Sequence, residues 1–420
     1  MIVSACSSLT EVNAPDLVQR GALTNANGAV TFFNGAVSSF YGVFGQRSSN
    51  FASGSFLANS GLLSDELIAT SQYSGMNDPD KHILPEASGS FGTYAYLQRA
   101  RVNQLQALAV LKQSLPSARW RIGEIYGLLG TLETLMAETM CSGVPLSNIG
   151  SDFAPEYGPP LTTTALLEHA LAVMDSAVAY SSDSARILNL ARVGRGRILL
   201  DLGKTAEAGA AVAAVPTSFV FITEHSPSVV PNILADWIIL GTYGIANGKG
   251  TNGLDYLAAN DQRLNAVLVG PGQDKSPVYR PARLSSQASP NIVTNGVEAR
   301  LIEAEAALKA GDANWLVILN NLRATATAPS MAPLADPGTP AARVDLLFRE
   351  RAFWLYLTGH RFGDMRRLMR QYGRAYNTVF PVGPYKFGGD FGTDLQFPID
   401  AAEVSSNPLM NNTVCLDRNP

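Results

Sequence analysis

The stretch from Thr93 to Pro145 constrains the fold most. "TYAYLQRARVNQLQALAVLKQSLP" places Tyr96, Ala100, Leu105, Leu108 and Leu111 broadly on one helical face and then meets Pro116. "SARWRIGEIYGLLGTLETLMAETMCSGVP" starts at a Ser117 cap and runs to the break at Gly143–Pro145. Apolar residues three and four apart make an amphipathic helix. Two such helices joined by a short turn make a hairpin that buries its apolar stripes against helical neighbours. A second hairpin follows in "TTTALLEHALAVMDSAVAYSSD" and "SARILNLARVGRGRILLDLGKTAEA", with its turn at Ser181–Ser184. Ala191, Gly194 and Gly196 are small residues placed for close helix crossing. Later, "NGVEARLIEAEAALKAGDANWLVILNNLRAT" reads as helix, turn, helix, which is the tetratricopeptide rhythm. Leu199–Val215 echoes it loosely. The pairs do not keep the period of ~34 residues of an uninterrupted solenoid. The expected fold class is therefore mainly α, with tetratricopeptide-like hairpins as a scaffold and long irregular loop insertions.

Bulk properties exclude several functions. The chain has 420 residues, above the ~250–300 at which a single core stops growing. One large helical body with insertions, or two interleaved lobes, would satisfy that length. Charged residues make up 16% and the net charge is -4, so the clustered cationic footprint of a nucleic-acid binder is missing. No apolar run reaches the ~20 residues that span a bilayer. Cys6, Cys141 and Cys415 form no CxxC pair and have no histidine at ligand spacing, so neither a zinc site nor another cofactor is expected. Cys6 lies in "IVSACSS", which reads as the end of a bacterial lipoprotein signal without its charged region and most of its apolar region. The alternative is a cysteine in a floppy terminus. A polar tether follows, and then a helix with Val30, Phe33, Val37 and Phe40–Tyr41 at helical spacing. "SGLLSDELIATSQYSGMNDPDKHILPEASGSFG" is rich in Gly, Pro, Asn and Asp and reads mostly as loop.

"LFRERAFWLYLTGHRFGDMRRL" resembles an active site at first sight, with one histidine among arginines and acids. Catalysis there needs a nucleophile or a paired acid beside His360, and the neighbourhood offers only Asp364. Leu346, Leu347, Phe353, Trp354 and Tyr356–Leu357 share a helical face, Arg343, Arg349, Glu350 and Arg351 fill much of the rest, and Gly359 breaks the helix before a second one starts. The expectation is a helix–turn–helix held by salt bridges.

The same stretch resembles a segment of SusD/RagB-like outer-membrane lipoproteins that reads D-x-x-x-x-E-R-x-x-E-L-x-x-E-G-x-R-x-x-D-L-R-R. Asp345, Glu350, Arg351, Gly359, Arg361, Asp364, Arg366 and Arg367 fall on that pattern, and Phe353–Trp354 and Thr358 depart from it. "VEARLIEAEAALKAGD", "AANDQRLNAVL" and "LQFPIDAAEVSSNPLMNN" resemble three further segments of that family. The resemblance implies a non-enzymatic surface protein with Cys6 lipidated. Such proteins capture glycans or peptides for a SusC-like, TonB-dependent outer-membrane transporter. It implies a tether over residues 1–22 and a single SusD-like domain over 23–420. The scaffold would occupy about 93–215 and 291–375, the insertions about 45–92 and 216–290, and a tail 376–420. In an exported protein, Cys141 and Cys415 are left to pair as a disulfide that clips the tail to the scaffold, or to remain two free thiols.

A sugar binder needs exposed aromatics flanked by amides, acids or arginines. One candidate loop carries Tyr73, Asn77, Asp78, Asp80 and His82. The long insertion carries Trp237, Tyr243, Asn247, Tyr256, Tyr279 and Arg280. Core packing is the competing reading for each aromatic. A calcium site at Asn77, Asp78 and Asp80 competes with a plain turn. Phe219 and Phe221 in "SFVFI" read as a buried strand. Two rival functions remain: a helical scaffold that binds only proteins, and a glycan hydrolase. The hydrolase would need two carboxylates ~5–10 Å apart in a cleft, and adjacent Asp65 and Glu66 do not naturally converge on one bond.

Overall fold

A computed structural model of the chain describes residues 25–45, 55–71, 73–84, 92–150 and 154–419. The main helices are α1 (Ala26–Gly45), α2 (Phe56–Leu63), α3 (Ser74–Lys81), α4 (Thr93–Ser114), α5 (Arg119–Thr139), α6 (Thr163–Tyr180), α7 (Ala185–Asp201), α8 (Thr205–Val212), α9 (Ile233–Ile239), α10 (Gly296–Lys309), α11 (Asn314–Thr325), α12 (Pro340–Trp354) and α13 (Arg361–Tyr372). Side-chain oxygens of Thr162, Ser184, Asn295 and Thr339 accept the amides of Ala165, Ile187, Glu298 and Ala342, which fixes where four of these helices start. Ser117 does not cap α5, whose N-cap place is taken by Ala118 without a side-chain bond.

The helices stack as successive neighbours. α1 packs on α4, α4 on α5, α5 on α6, α6 on α7, α7 on α8, α8 on α10 and α10 on α11. Close approach depends on the small residues. A Cβ on Gly194 would lie 2.5 Å from Met174 Cε, and one on Gly196 would lie 2.5 Å from Val212 Cγ1. α8 and α10 adjoin although the long insertion separates them in sequence. Six short strands explain how: β1 (Leu67–Ala69), β2 (Val220–Thr223), β3 (Tyr243–Ile245), β4 (Ala266–Pro271), β5 (Pro277–Pro281) and β6 (Asn291–Asn295). They pair antiparallel as β1–β3, β2–β6 and β4–β5. The β2–β6 pair, running from Thr223↔Asn291 to Val220↔Asn295, closes the base of the insertion and returns the chain to the helical stack. Phe221 within it is buried, as its sequence predicts.

Two expectations change. The described residues of the Ser60–Gly92 stretch are not mostly loop: they hold the end of α2, β1 and α3. Every residue of α2 is buried. A helix covered all round has no polar face, so no period marks it in sequence. Glu350 and Arg351 are not surface charges either, for each is 3% exposed. Arg351 forks onto Asp364 at 2.8 and 2.9 Å, and Arg367 forks onto Glu305 while reaching Asp364 at 2.8 Å. Glu350 receives Arg263 at 2.8 Å and Arg323 at 2.9 Å. His360 lies 2.9 Å from Glu298. The expected salt-bridge network exists, but it runs through the core, tying α10, α11, α12 and α13 to one another. Chain reversal between α12 and α13 uses left-handed backbone at Leu357 (φ 51°) and Gly359 (φ 80°).

Cys141 and Cys415 form a disulfide with Cα atoms 5.6 Å apart. Phe397 joins this corner: its amide donates to the Thr139 carbonyl and its carbonyl accepts the Cys141 amide. The largest cluster of buried apolar side chains extends from Phe40 to Met410.

Candidate ligand face

The two insertions meet just beyond β1. β1 and β3 pair with Ala69 opposite Tyr243. The next residue, Thr70, donates its hydroxyl to the Gly241 carbonyl at 2.5 Å and accepts the Gln273 amide at 3.2 Å. Gly272 must be glycine in this knot, since a Cβ there would lie 2.6 Å from Thr70 Cγ2. Tyr73, the end of α9 and the β4–β5 turn therefore share one region of surface.

Asp80 holds α3 beneath that region. Its carboxylate is fully buried and accepts the Ala69 amide at 3.1 Å, with the Tyr385 hydroxyl at 2.8 Å. Lys249 Nζ pairs with it at 2.7 Å. The same ammonium donates to the carbonyls of Leu62 and Ser64 at the C-terminal end of α2, where the helix dipole favours a cation, and to that of Leu67 in β1. Burial drives the Lys249 pKa below its ordinary value, and Asp80 opposes that shift only in part.

Tyr73 is 51% exposed. Trp237 and Tyr279 are half-buried, resting on the core with outer faces toward solvent. Leu240 and Leu268 are also exposed. The same segments carry polar groups: Asn77 Oδ1 lies 2.6 Å from the Tyr385 hydroxyl, and Lys386 pairs with Asp274 of the β4–β5 turn at 2.9 Å. An exposed ring, apolar patches and mixed polar groups can hold a ligand with one apolar side and a polar edge. Nothing in this set forms a nucleophile beside a base. Among the described residues, no group of three His, Cys, Asp or Glu side chains is placed to hold a metal.

Several sequence candidates are not on this face. Asp80, His82 and Tyr243 are buried, as is Tyr256. His82 ends α3 in left-handed backbone, with its ring centroid 6.0 Å from that of Phe380 and 5.6 Å from that of Phe391. Burial, and then Lys249, push its pKa well below the ordinary value, so it is a neutral core ring. Tyr243 is the partner of Ala69 in the strand pair. Arg280 spends its guanidinium on the carbonyls of Pro281, Ala282 and Leu284. Asn247 Oδ1 accepts the amides of Leu257 and Ala258. Asp65 and Glu66 are also buried: Arg361 forks onto Asp65 at 2.6 and 2.8 Å, and Glu66 accepts the Leu357 amide at 2.7 Å. Cys6 lies outside the described residues. Sequence reasoning missed Lys249, Tyr385 and Lys386. The last two belong to "VGPYKFGGDFG", where an aromatic and a lysine sit between glycines, the loop composition that could have drawn attention to them.

No family model and no curated protein matches the sequence. Solved structures do match the fold. A SusD superfamily protein from Bacteroides fragilis superposes with a TM-score of 0.70 at 15% identity, over 92% of this chain and 99% of that one. A SusD-like carbohydrate binding protein from the same species gives 0.69 at 14%, over 92% and 99%. The fold is SusD-like. A SusD-like carbohydrate binding protein from Bacteroides vulgatus agrees over 94% of this chain and 99% of its own, with a TM-score of 0.67 at 12% identity.

The SusD-like fold also explains why the four sequence motifs are legible at such low identity. They meet in space. "AANDQRLNAVL" supplies Arg263 to Glu350, "VEARLIEAEAALKAGD" supplies Glu298 and Glu305 to His360 and Arg367, and "LQFPID" lays Phe397 against the end of α5. Each motif is one side of a buried polar contact.

Proposed function

We propose that this chain is a non-catalytic cell-surface protein that captures glycans and passes them to a TonB-dependent, SusC-like transporter of the outer membrane. The observation that carries the reading is the near whole-chain likeness to SusD-like carbohydrate binding proteins. The exposed Tyr73 beside half-buried Trp237 and Tyr279 supports it, because sugar rings stack on exposed aromatics. The buried, bonded state of Asp65, Glu66 and His360 supports binding without turnover. Lipidation at Cys6 would anchor the chain, with more than one acyl chain needed for a stable hold.

Titration calorimetry with a panel of soluble polysaccharides tests the reading. One class should bind, and no new reducing ends should appear on long incubation. Tyr73→Ala should weaken that binding about fivefold, the equivalent of ~1 kcal/mol by analogy with aromatic pairs, and leave the melting temperature unchanged. Hydrolysis by the purified protein, or full affinity in Tyr73→Ala, would sink the assignment. Co-purification of a β-barrel protein with the Cys6-bearing chain, lost in Cys6→Ala, tests the anchor and the transporter together.

A further inference from the structure

A separate cleft of about 430 Å³ opens between the N-terminal end of α6, the end of α7, α13 and the C-terminal tail. That volume falls within the range of roughly 300–1,000 Å³ usual for small-molecule sites. The tail is fixed as one wall. The Cys141–Cys415 disulfide holds it, the Leu416 amide donates to the Ser142 carbonyl, and Ser142 bridges to Asp417. Ser142 is 4% exposed and its hydroxyl has no partner. Gln371 is in a similar state: its amide nitrogen is tied to the carbonyls of Leu200 and Asp201, which fixes its orientation and leaves Oε1 without a donor. Buried polar atoms without partners cost free energy unless a ligand or ordered water completes them.

The charges around the cleft define what fits. Arg370 is exposed, and its one hydrogen bond among the described residues is a long 3.4 Å contact to the Asp201 carbonyl. The first amides of α6, at Thr163 and Thr164, have no acceptor within the helix, which makes that end of the cleft positive. The carboxylates of Asp201 and Asp417 line the cleft too, Asp201 with Arg367 Nε 3.5 Å from its Oδ1 and Asp417 accepting the Asn419 amide. A small anion would be drawn to Arg370 and repelled by the exposed Asp417, Asp201 being offset by Arg367. A cation would meet the reverse. A neutral ligand whose groups donate and accept at once satisfies both sides, and neighbouring hydroxyls on a sugar ring do this. Leu167 and Leu202 supply an apolar floor, and among the described residues no aromatic ring lines the cleft.

We propose that this cleft is a second binding site, for a neutral polyhydroxylated molecule of mono- to disaccharide size, recognised by hydrogen bonds rather than by stacking. It lies on other elements than the Tyr73 face and does not depend on that face. Saturation-transfer NMR on the full chain tests it. The probes are glucose, galactose, mannose and N-acetylglucosamine with their disaccharides, against glucuronate and glucosamine as charged counterparts. At least one neutral sugar should bind, and the charged counterparts should bind more weakly. Arg370→Ala with Asp417→Asn should weaken it at least tenfold. Both side chains are exposed, so an unchanged melting temperature is expected for the double variant. Tyr73→Ala should leave this binding intact, which separates failure here from failure of the Tyr73 face. The proposal is overturned if no neutral sugar binds at millimolar concentration, if a charged counterpart binds more tightly, or if the double variant binds like the parent.

Discussion

At the residue scale, the most informative side chain is Glu66, a fully buried carboxyl without an ion-pair partner among the described residues. It is 1% exposed, and among the described residues its carboxyl receives one hydrogen bond, from the Leu357 amide at 2.7 Å. Burial pushes its pKa from the ordinary 4.5 up to about 8, outweighing the amide that lowers it. A carboxyl that holds its proton more tightly folded than unfolded stabilises the fold most below pH 4.5. As pH rises toward 8 that contribution is lost, at about 1.4 kcal/mol per unit. Glu66→Gln keeps an acceptor for Leu357 and removes the titration. Urea unfolding at pH 5 and pH 8 should show the parent losing a few kcal/mol more than the variant between the two. Equal losses would mean that Glu66 stays ionised in the folded protein. The contact matters because it pins Leu357, a branched residue in left-handed backbone, a conformation that costs roughly 1–2 kcal/mol.

At the element scale, α12 and α13 are joined by charge as much as by apolar contact. Burial alone would raise the Asp364 pKa, but Arg351 and Arg367 outweigh it and hold the carboxyl well below its usual range. Asp364→Ala would leave two buried guanidinium groups short of an acceptor. Chemical denaturation should register a loss of about 3–5 kcal/mol. A loss under 1 kcal/mol would show that Glu305 alone can satisfy both arginines. The periodicity of "LFRERAFWLYLTGHRFGDMRRL" revealed two helices and a break at Gly359. It did not reveal that the charged positions face inward, because Glu350, Arg351 and Asp364 are buried only once α10 and Arg263 supply their partners.

At the scale of the whole molecule, the tail matters beyond its own contacts. The disulfide closes a loop of sequence separation 274, so it restricts the unfolded chain strongly. Replacing both Cys141 and Cys415 with Ser should cost about 2–4 kcal/mol, read from denaturant midpoints without reductant. An unchanged midpoint would mean that the contacts of Phe397 and Leu416 hold the tail alone. The same variant should loosen the cleft wall at Ser142 before it affects Tyr73, which lies among α3, α9 and the β4–β5 turn.

The sequence by itself determined the helical hairpins, the small residues at the crossings, the break at Gly359 and the SusD-like ordering of motifs. These are local or periodic signals, and each can be read within one element. Tertiary structure alone decided which polar residues are structural. Asp80 and Tyr73 sit in one short segment, yet Asp80 is buried by Lys249 and Tyr385 while Tyr73 faces solvent. Neither of those two side chains is near it in the chain. Exposure depends on what packs from outside the segment, and for a fully covered helix such as α2 even the helical period disappears. The ligand face and the tail cleft are legible only after β1 meets β3 and Cys141 meets Cys415, because each site is assembled from segments that the chain keeps far apart.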